Sequence, residues 1–374
     1  MKTHIIAALI FASSTLTSLS ARAQTGSPSV EQDSLALKPS PTSAIVLKGY
    51  AEGYISVDGN KPAGMNRPLL YNFSRDREFS LNLAFVEISH QHGDLRFKFT
   101  PAFGGYMQAN YAAEPEGFRY IFEANAGVRL SAKHNLWLDA GVLPSPYGYE
   151  GAVNLLQNNL SRSLSAENSP YYITGARLSA PLGTKVQLNV FAINGWQNIR
   201  ETNRAKSFAA QIQYQATSTL LLNYSAYLGD ERATLDSTKG KAYRSFHDFY
   251  AKYSPSDRLN LVALFDFGTQ NGYSASTKLW HTANITARIK LMQKLSLSLR
   301  AEYYSDPKQA IVALPMQDAS LYGASVGLNY GITDQVLLRV ESRLLNSDKR
   351  VFVSNTGKPS DSYLFNTASL AVYF

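Results

Sequence analysis

The basic residues late in the chain keep even spacings. Arg288 and Lys290 are two apart, Arg339 and Arg343 four apart, and Glu302 and Glu341 stand two residues from Arg300 and Arg339. In an extended strand, residues at even offsets lie on one face. Read as strands, these segments place the five cations on one basic wall, with Glu302 and Glu341 as ion-pair partners. Such a wall can orient and filter charged solutes, but it holds no group that makes or breaks a bond. Arg96, Lys98, Arg129 and Arg177 are further basic positions of the same kind. The segment 144–170 differs in character: Glu150, Asn154, Asn158, Asn159, Arg162, Glu167 and Asn168 make it a long polar connection.

Catalysis has poorer material. Beyond residue 23 the histidines are His90, His92, His134, His247 and His281, and none has an evident serine or aspartate partner for nucleophilic chemistry. His90-x-His92 offers two metal ligands where a structural site needs four. No metal or cofactor is assigned. Phosphate-loop and ordered zinc spacings are absent, as is a basic helix, so no nucleic-acid partner is expected.

The elements that must position these residues begin after a leader. Residues 1–23 read as a secretory signal, with Lys2 at its positive start, Ile5–Ala12 as the apolar run and Ala21-Arg22-Ala23 as the cleavage site. That run is too short to cross a bilayer as a helix, which takes about 20 residues. Removal of the signal leaves 34 basic and 28 acidic residues, a formal charge of +6. This suits anionic solutes or lipopolysaccharide phosphates, and is also ordinary for a soluble domain. Residues 24–44, rich in Ser, Pro, Gln and Thr, read as a flexible periplasmic leader, too short for the plug domain of an active transporter. With no cysteine, the chain has neither disulfides nor a lipid-anchored thiol.

Beyond residue 44 hydrophobicity alternates instead of accumulating. Mean hydropathy is slightly negative, and no apolar run reaches helical spanning length. Over 119–131, Tyr120, Phe122, Ala124, Ala126, Val128 and Leu130 share one face, and Arg119, Ile121, Glu123, Asn125, Gly127 and Arg129 the other. The same rhythm predicts strands at 45–57, 79–89, 94–110, 119–131, 134–143, 171–180, 184–195, 205–216, 218–229, 243–254, 257–269, 277–291, 293–304, 320–331, 334–346 and 363–374. Tight turns such as 181–183 and 292–293 alternate with long loops, the longest being 144–170. Only a closed barrel crosses lipid with so little continuous hydrophobicity. The fold class expected is therefore all-β: a transmembrane antiparallel up-and-down β-barrel over 45–374, of about 16 strands, closed by pairing its first and last strands. A soluble sandwich would need a Greek-key interruption of the hairpin order. The 23 Tyr and 18 Phe add to the case, because many fall at predicted strand ends, among them Tyr71, Phe79, Tyr106, Tyr111, Tyr120, Tyr172, Tyr227, Tyr253, Tyr304 and Tyr330.

Four stretches of sequence carry a resemblance. Leu364, Ala368, Leu370, Val372 and Phe374 share the apolar face of the last strand, with Asn366 the exception, and this resembles the terminal signature of Gram-negative outer-membrane barrels. The resemblance implies that the barrel assembly machinery reads this strand through Phe374. The segments 109–130 (ANYAAEPEGFRYIFEANAGVRL), 136–152 (LWLDAGVLPSPYGYEGA) and 161–178 (SRSLSAENSPYYITGARL) resemble the OmpL-like β-barrel porin-2 family, most strongly over 79–200. That family's members are outer-membrane porins with little assigned chemistry, so the resemblance implies compartment and class, not a substrate.

The expected function is passive diffusion of small hydrophilic solutes through a charged lumen in a Gram-negative outer membrane. Glu150, Asn158, Arg162, Glu167 and Asn168 would form a constriction, opposite the basic wall, if the 144–170 loop folds inward; otherwise that loop covers the rim. Outer-membrane lipid and lipopolysaccharide are the surrounding partners, and a homotrimer is the analogy from fold. A non-conducting adhesin and, further off, a barrel hydrolase stand as alternatives.

Overall fold

Leu295–Ser305 shows why these segments build a wall. Its serines, Arg300 and Glu302 alternate with Leu295, Leu297, Leu299 and Ala301, and burial alternates in step, polar side chains in and apolar ones out. A computed structural model describes residues 45–232, 240–272 and 277–374. The expected signal and leader, residues 1–44, lie outside these.

Among the described residues the chain forms eighteen strands, sixteen of which close into one antiparallel barrel. In chain order they are β1 (Val46–Asp58), β2 (Ser80–His92), β3 (Leu95–Phe103), β4 (Ile121–Ser131), β5 (Leu136–Pro144), β6 (Tyr172–Leu182), β7 (Val186–Ile193), β8 (Ser207–Thr217), β9 (Leu220–Asp230), β10 (Tyr243–Ser256), β11 (Leu259–Asn271), β12 (Thr277–Met292), β13 (Leu295–Ser305), β14 (Ser320–Gly331) and β15 (Val336–Ser347). A two-residue ladder, β16 (Phe352–Val353) with β17 (Pro359–Ser360), stiffens the last long loop before β18 (Ser362–Tyr373). Each barrel strand pairs with its sequence neighbour in the wall, and β18 returns to β1.

The seam is complete. β18 pairs with β1 from Tyr50 opposite Tyr373 to Asp58 opposite Phe365, and with β15 from Val336 opposite Val372 to Asn346 opposite Ser362. Gly49 and Phe374 exchange backbone hydrogen bonds at 3.0 and 3.1 Å, and the Phe374 ring stays 70% exposed on the outer wall.

Hydrophobicity is inverted relative to a soluble domain. Leu299, Val326, Val340, Phe265 and Leu370 face outward, while Asp248, Asp266, Arg300, Arg339, Glu341 and Arg343 are buried inside. A wall in hydrocarbon satisfies its backbone by strand pairing and presents apolar side chains to lipid. No helix among the described residues is long and apolar enough to cross a membrane.

Two local expectations are corrected. The third strand was expected to run to residue 110, but it ends at Phe103, and Gly105–Asn110 forms a short helix, α1. Gly104 makes the break: its φ is +124°, and a Cβ there would lie 2.4 Å from the Asn82 carbonyl oxygen. The strand-end aromatics also divide into two sets. Tyr120, Tyr253 and Tyr330 are exposed on the outside, whereas Tyr106, Tyr111, Tyr172, Tyr227 and Tyr304 are buried. Among the buried rings, Tyr172 donates to Glu114 Oε1 at 2.9 Å and Tyr227 to Ser207 Oγ at 2.9 Å.

Candidate functional site

The long connection between β5 and β6 lies inside the barrel. At its start, the Pro146 carbonyl accepts from Gln211 Nε2 of β8 at 2.8 Å and from Ser225 Oγ of β9 at 2.7 Å. Gly148 N donates to Asp248 of β10 at 3.1 Å, and Tyr149 OH to Thr286 of β12 at 3.1 Å. Asn158 Nδ2 reaches Thr286 at 3.0 Å, and Asn159 Nδ2 reaches Ser325 of β14 at 3.1 Å. On the far side, Asn154 Nδ2 donates to both carboxylate oxygens of Glu52 in β1, at 2.9 and 2.8 Å. The loop is thus fastened to most of the circumference. Its short helix, α2 (Leu164–Glu167), is capped by Ser163, whose Oγ accepts from Ala166 N at 3.3 Å.

The basic wall meets this loop directly. Arg300 donates to the Ser161 carbonyl at 2.7 Å and pairs with Glu341 at 2.9 Å, Glu302 at 3.3 Å and the loop's Glu150 at 3.8 Å. Arg343 pairs with Glu302 at 2.6 Å and donates to the Arg162 carbonyl at 2.7 Å. Arg339 donates to the carbonyls of Asn154 at 2.5 Å and Asn158 at 2.9 Å. The acids are answered in turn by loop amides: Leu164 N donates to Glu302 at 2.7 Å and Ser163 N to Glu150 at 3.0 Å, while Ser161 N donates to Glu341. Arg300, Arg339, Arg343, Glu302 and Glu341 are buried in consequence. Charges taken out of water stay ionised only when ringed by such partners. The three wall arginines therefore hold the loop and present nothing to open solvent.

The remaining predicted residues fall into three groups. Glu150, Asn158, Arg162 and Glu167 are buried within the loop's own contacts, and Asn168 is the partly exposed member, lining a cavity of about 390 Å³ with Asn66, Arg67, Tyr71 and Ala109. Arg162 lies over the Tyr171 ring at 3.1 Å. Glu167 Oε2 accepts from Tyr71 N at 2.9 Å and from the Tyr171 hydroxyl at 3.1 Å. Burial raises the Glu167 carboxyl above the ordinary carboxylate range, and the Arg162 cation opposes that rise. Nearer the short turns, Arg96 and Arg177 share Asp139 at 2.6 and 3.1 Å, Lys98 lies 3.6 Å from Glu87 and 3.4 Å from Glu123, and Arg129 pairs with Asp94 at 2.6 Å. Arg288 is partly exposed and Lys290 exposed on the lumen-facing phase of β12.

Sequence reasoning passed over Glu52, Asp248 and Asp266, the lumen-side acids of β1, β10 and β11. Asp248 and Asp266 offered a signal as the single acids of β10 and β11. The sequence also contains one G-x-S-x-G pattern, Gly323–Gly327. It lies inside β14 and not at a strand-to-helix turn, and Ser325 faces the lumen, bonded to Asn159. His247 and His281 lie on the opposite, outer phase of their strands, so the pattern is no nucleophile elbow.

A closed sixteen-strand barrel with a polar interior and an inward loop is the architecture of a porin. The chain belongs to the family described as "Putative beta-barrel porin-2, OmpL-like", which matches residues 44–374. Solved structures agree in fold. DcaP, an outer membrane channel of Acinetobacter baumannii, superposes with a TM-score of 0.60 at 11% identity, covering 91% of this chain and 100% of that one. The anion-selective porin from Comamonas acidovorans gives 0.59 at 10% identity, covering 88% and 99%. OmpT of Vibrio cholerae in its trimer form gives 0.55 at 10%, again covering 88% and 99%. No curated protein matches.

Proposed function

We propose that this chain is an outer-membrane porin in which small hydrophilic solutes diffuse passively past the 144–170 loop. The observation that carries the reading is the loop's position, fastened across a polar lumen by Arg300, Arg339 and Arg343. A barrel of this strand number leaves an aqueous interior, and an inward loop sets its effective width. No bond-breaking step is part of the reading, and no metal, cofactor or nucleic acid. Residues 1–23 serve as an export signal cleaved near Ala23, residues 24–44 as a periplasmic leader, and the short-turn end faces the periplasm. The barrel assembly machinery engages β18 at Phe374, lipid and lipopolysaccharide surround the outer wall, and three copies associate as a homotrimer.

Liposome swelling tests the proposal. Proteoliposomes should swell in neutral sugars up to a size limit and in small acids of similar size. Absence of swelling in every solute would replace the pore with a non-conducting, surface-binding barrel.

A further inference from the structure

Three inward-phase cations near the short-turn end neither fasten the loop nor meet an acid. Lys252 of β10 and Arg288 and Lys290 of β12 share the inward phase of Asp248 and Thr286, which do bind it, but stand closer to the short-turn end. Other strand cations at that end, on β1, β3 and β6, are matched by acids: Lys48 with Glu87 at 3.1 Å, Lys98 with Glu87 and Glu123, and Arg96 and Arg177 with Asp139. Among the described residues, Lys252, Arg288 and Lys290 have no carboxylate within ion-pair distance.

Their arrangement suits convergence on one ligand. Lys252 stands opposite Val262, which stands opposite Thr286, one inward position from Arg288. Two strand spacings of about 4.8 Å and one inward step of about 7 Å therefore separate the backbones, within reach of two long side chains extending into the lumen. Arg288 Nε donates to Ser296 Oγ at 3.0 Å, which fixes the plane of the guanidinium and leaves its two terminal nitrogens free for an oxyanion. An ammonium adds a point charge, and a guanidinium a two-pronged fork matched to carboxylate or phosphate.

We propose that Lys252, Arg288 and Lys290 form an anion-collecting site beneath the loop, giving the pore a preference for small carboxylate- or phosphate-bearing solutes over cations. The proposal rests on the porin reading. Balanced ion pairs contribute little field at a distance, whereas unmatched charges in a channel with low-dielectric walls concentrate counter-ions.

Reversal potentials in planar bilayers test it, with purified full-length protein under potassium chloride and potassium phosphate gradients. The wild type should pass anions in preference to potassium, more strongly at about 0.1 M than at about 1 M salt, where the screening length shrinks from roughly 10 to 3 Å. The triple variant Lys252→Gln, Arg288→Gln, Lys290→Gln should keep its conductance steps and lose at least about half of the preference. Lys290→Gln alone, at an exposed position, should give part of that loss without disturbing folding, and the double variant Arg129→Gln, Asp94→Asn, which removes a balanced pair whole, should give none. Conductance without anion preference, or a preference that the triple variant retains, overturns the proposal and leaves the porin reading intact. No conductance in any buffer overturns both.

Discussion

Arg343 and Glu302 meet at 2.6 Å, both shielded from water, and the Arg162 carbonyl completes the site. Removing Arg343 leaves Glu302 with Arg300 at 3.3 Å and the Leu164 amide at 2.7 Å, so the cost should fall below the roughly 3–5 kcal/mol typical of a buried charge left wholly unpaired. Arg343→Ala should leave the wall ladders paired while loosening the loop. Single-channel recordings should become noisier, and the folded band on unheated gels should melt at lower temperature; unchanged noise and melting would remove Arg343 from the fastening. Glu167 makes a pH-dependent contribution of the opposite kind to a salt-bridged carboxylate. Its folded carboxyl holds the proton more tightly than the unfolded one, whose ordinary value is 4.5. Between those two values the native state binds more protons, so stability falls as pH rises through the window. The contribution is fully present below pH 4.5 and lost above the raised folded value. Unfolding midpoints measured against pH should show that decline in the wild type and a flatter profile in Glu167→Gln, with identical profiles counting against it.

At the scale of elements, alternation predicted all sixteen barrel strands because every one has a polar and an apolar face. It failed where backbone geometry overrules the pattern. Residues 104–110 continue the apolar rhythm of β3, but the left-handed conformation at Gly104 turns them into α1, and Tyr106 and Met107 become interior packing. The ladder of β16 with β17 is too short for any period to register. Glycine also matters at the seam, where a Cβ on Gly49 would stand 2.2 Å from the Phe374 ring. Gly49→Val should displace that ring and cost about 1–3 kcal/mol in denaturant unfolding, the usual range for overpacking. The double variant with Phe374→Ala should cost less than the two single changes added together. Strict additivity would mean that the ring and the backbone do not meet in solution.

For the whole molecule, compartment and topology were legible because a barrel's constraints repeat in every hairpin. The site was legible only in its membership. Even spacing assigned Arg300, Arg339 and Arg343 to the lumen, but nothing local in the chain tells that their partners are carbonyls of residues 154–162, more than a hundred positions earlier. The same distance in sequence constrains how the molecule is made. The 144–170 loop is synthesised after five strands, yet its bonds extend to β13, β14 and β15 on one side and to Glu52 of β1 on the other. The loop therefore ties together strands on both sides of the β1–β18 seam, so its own placement and the closure of the wall depend on each other.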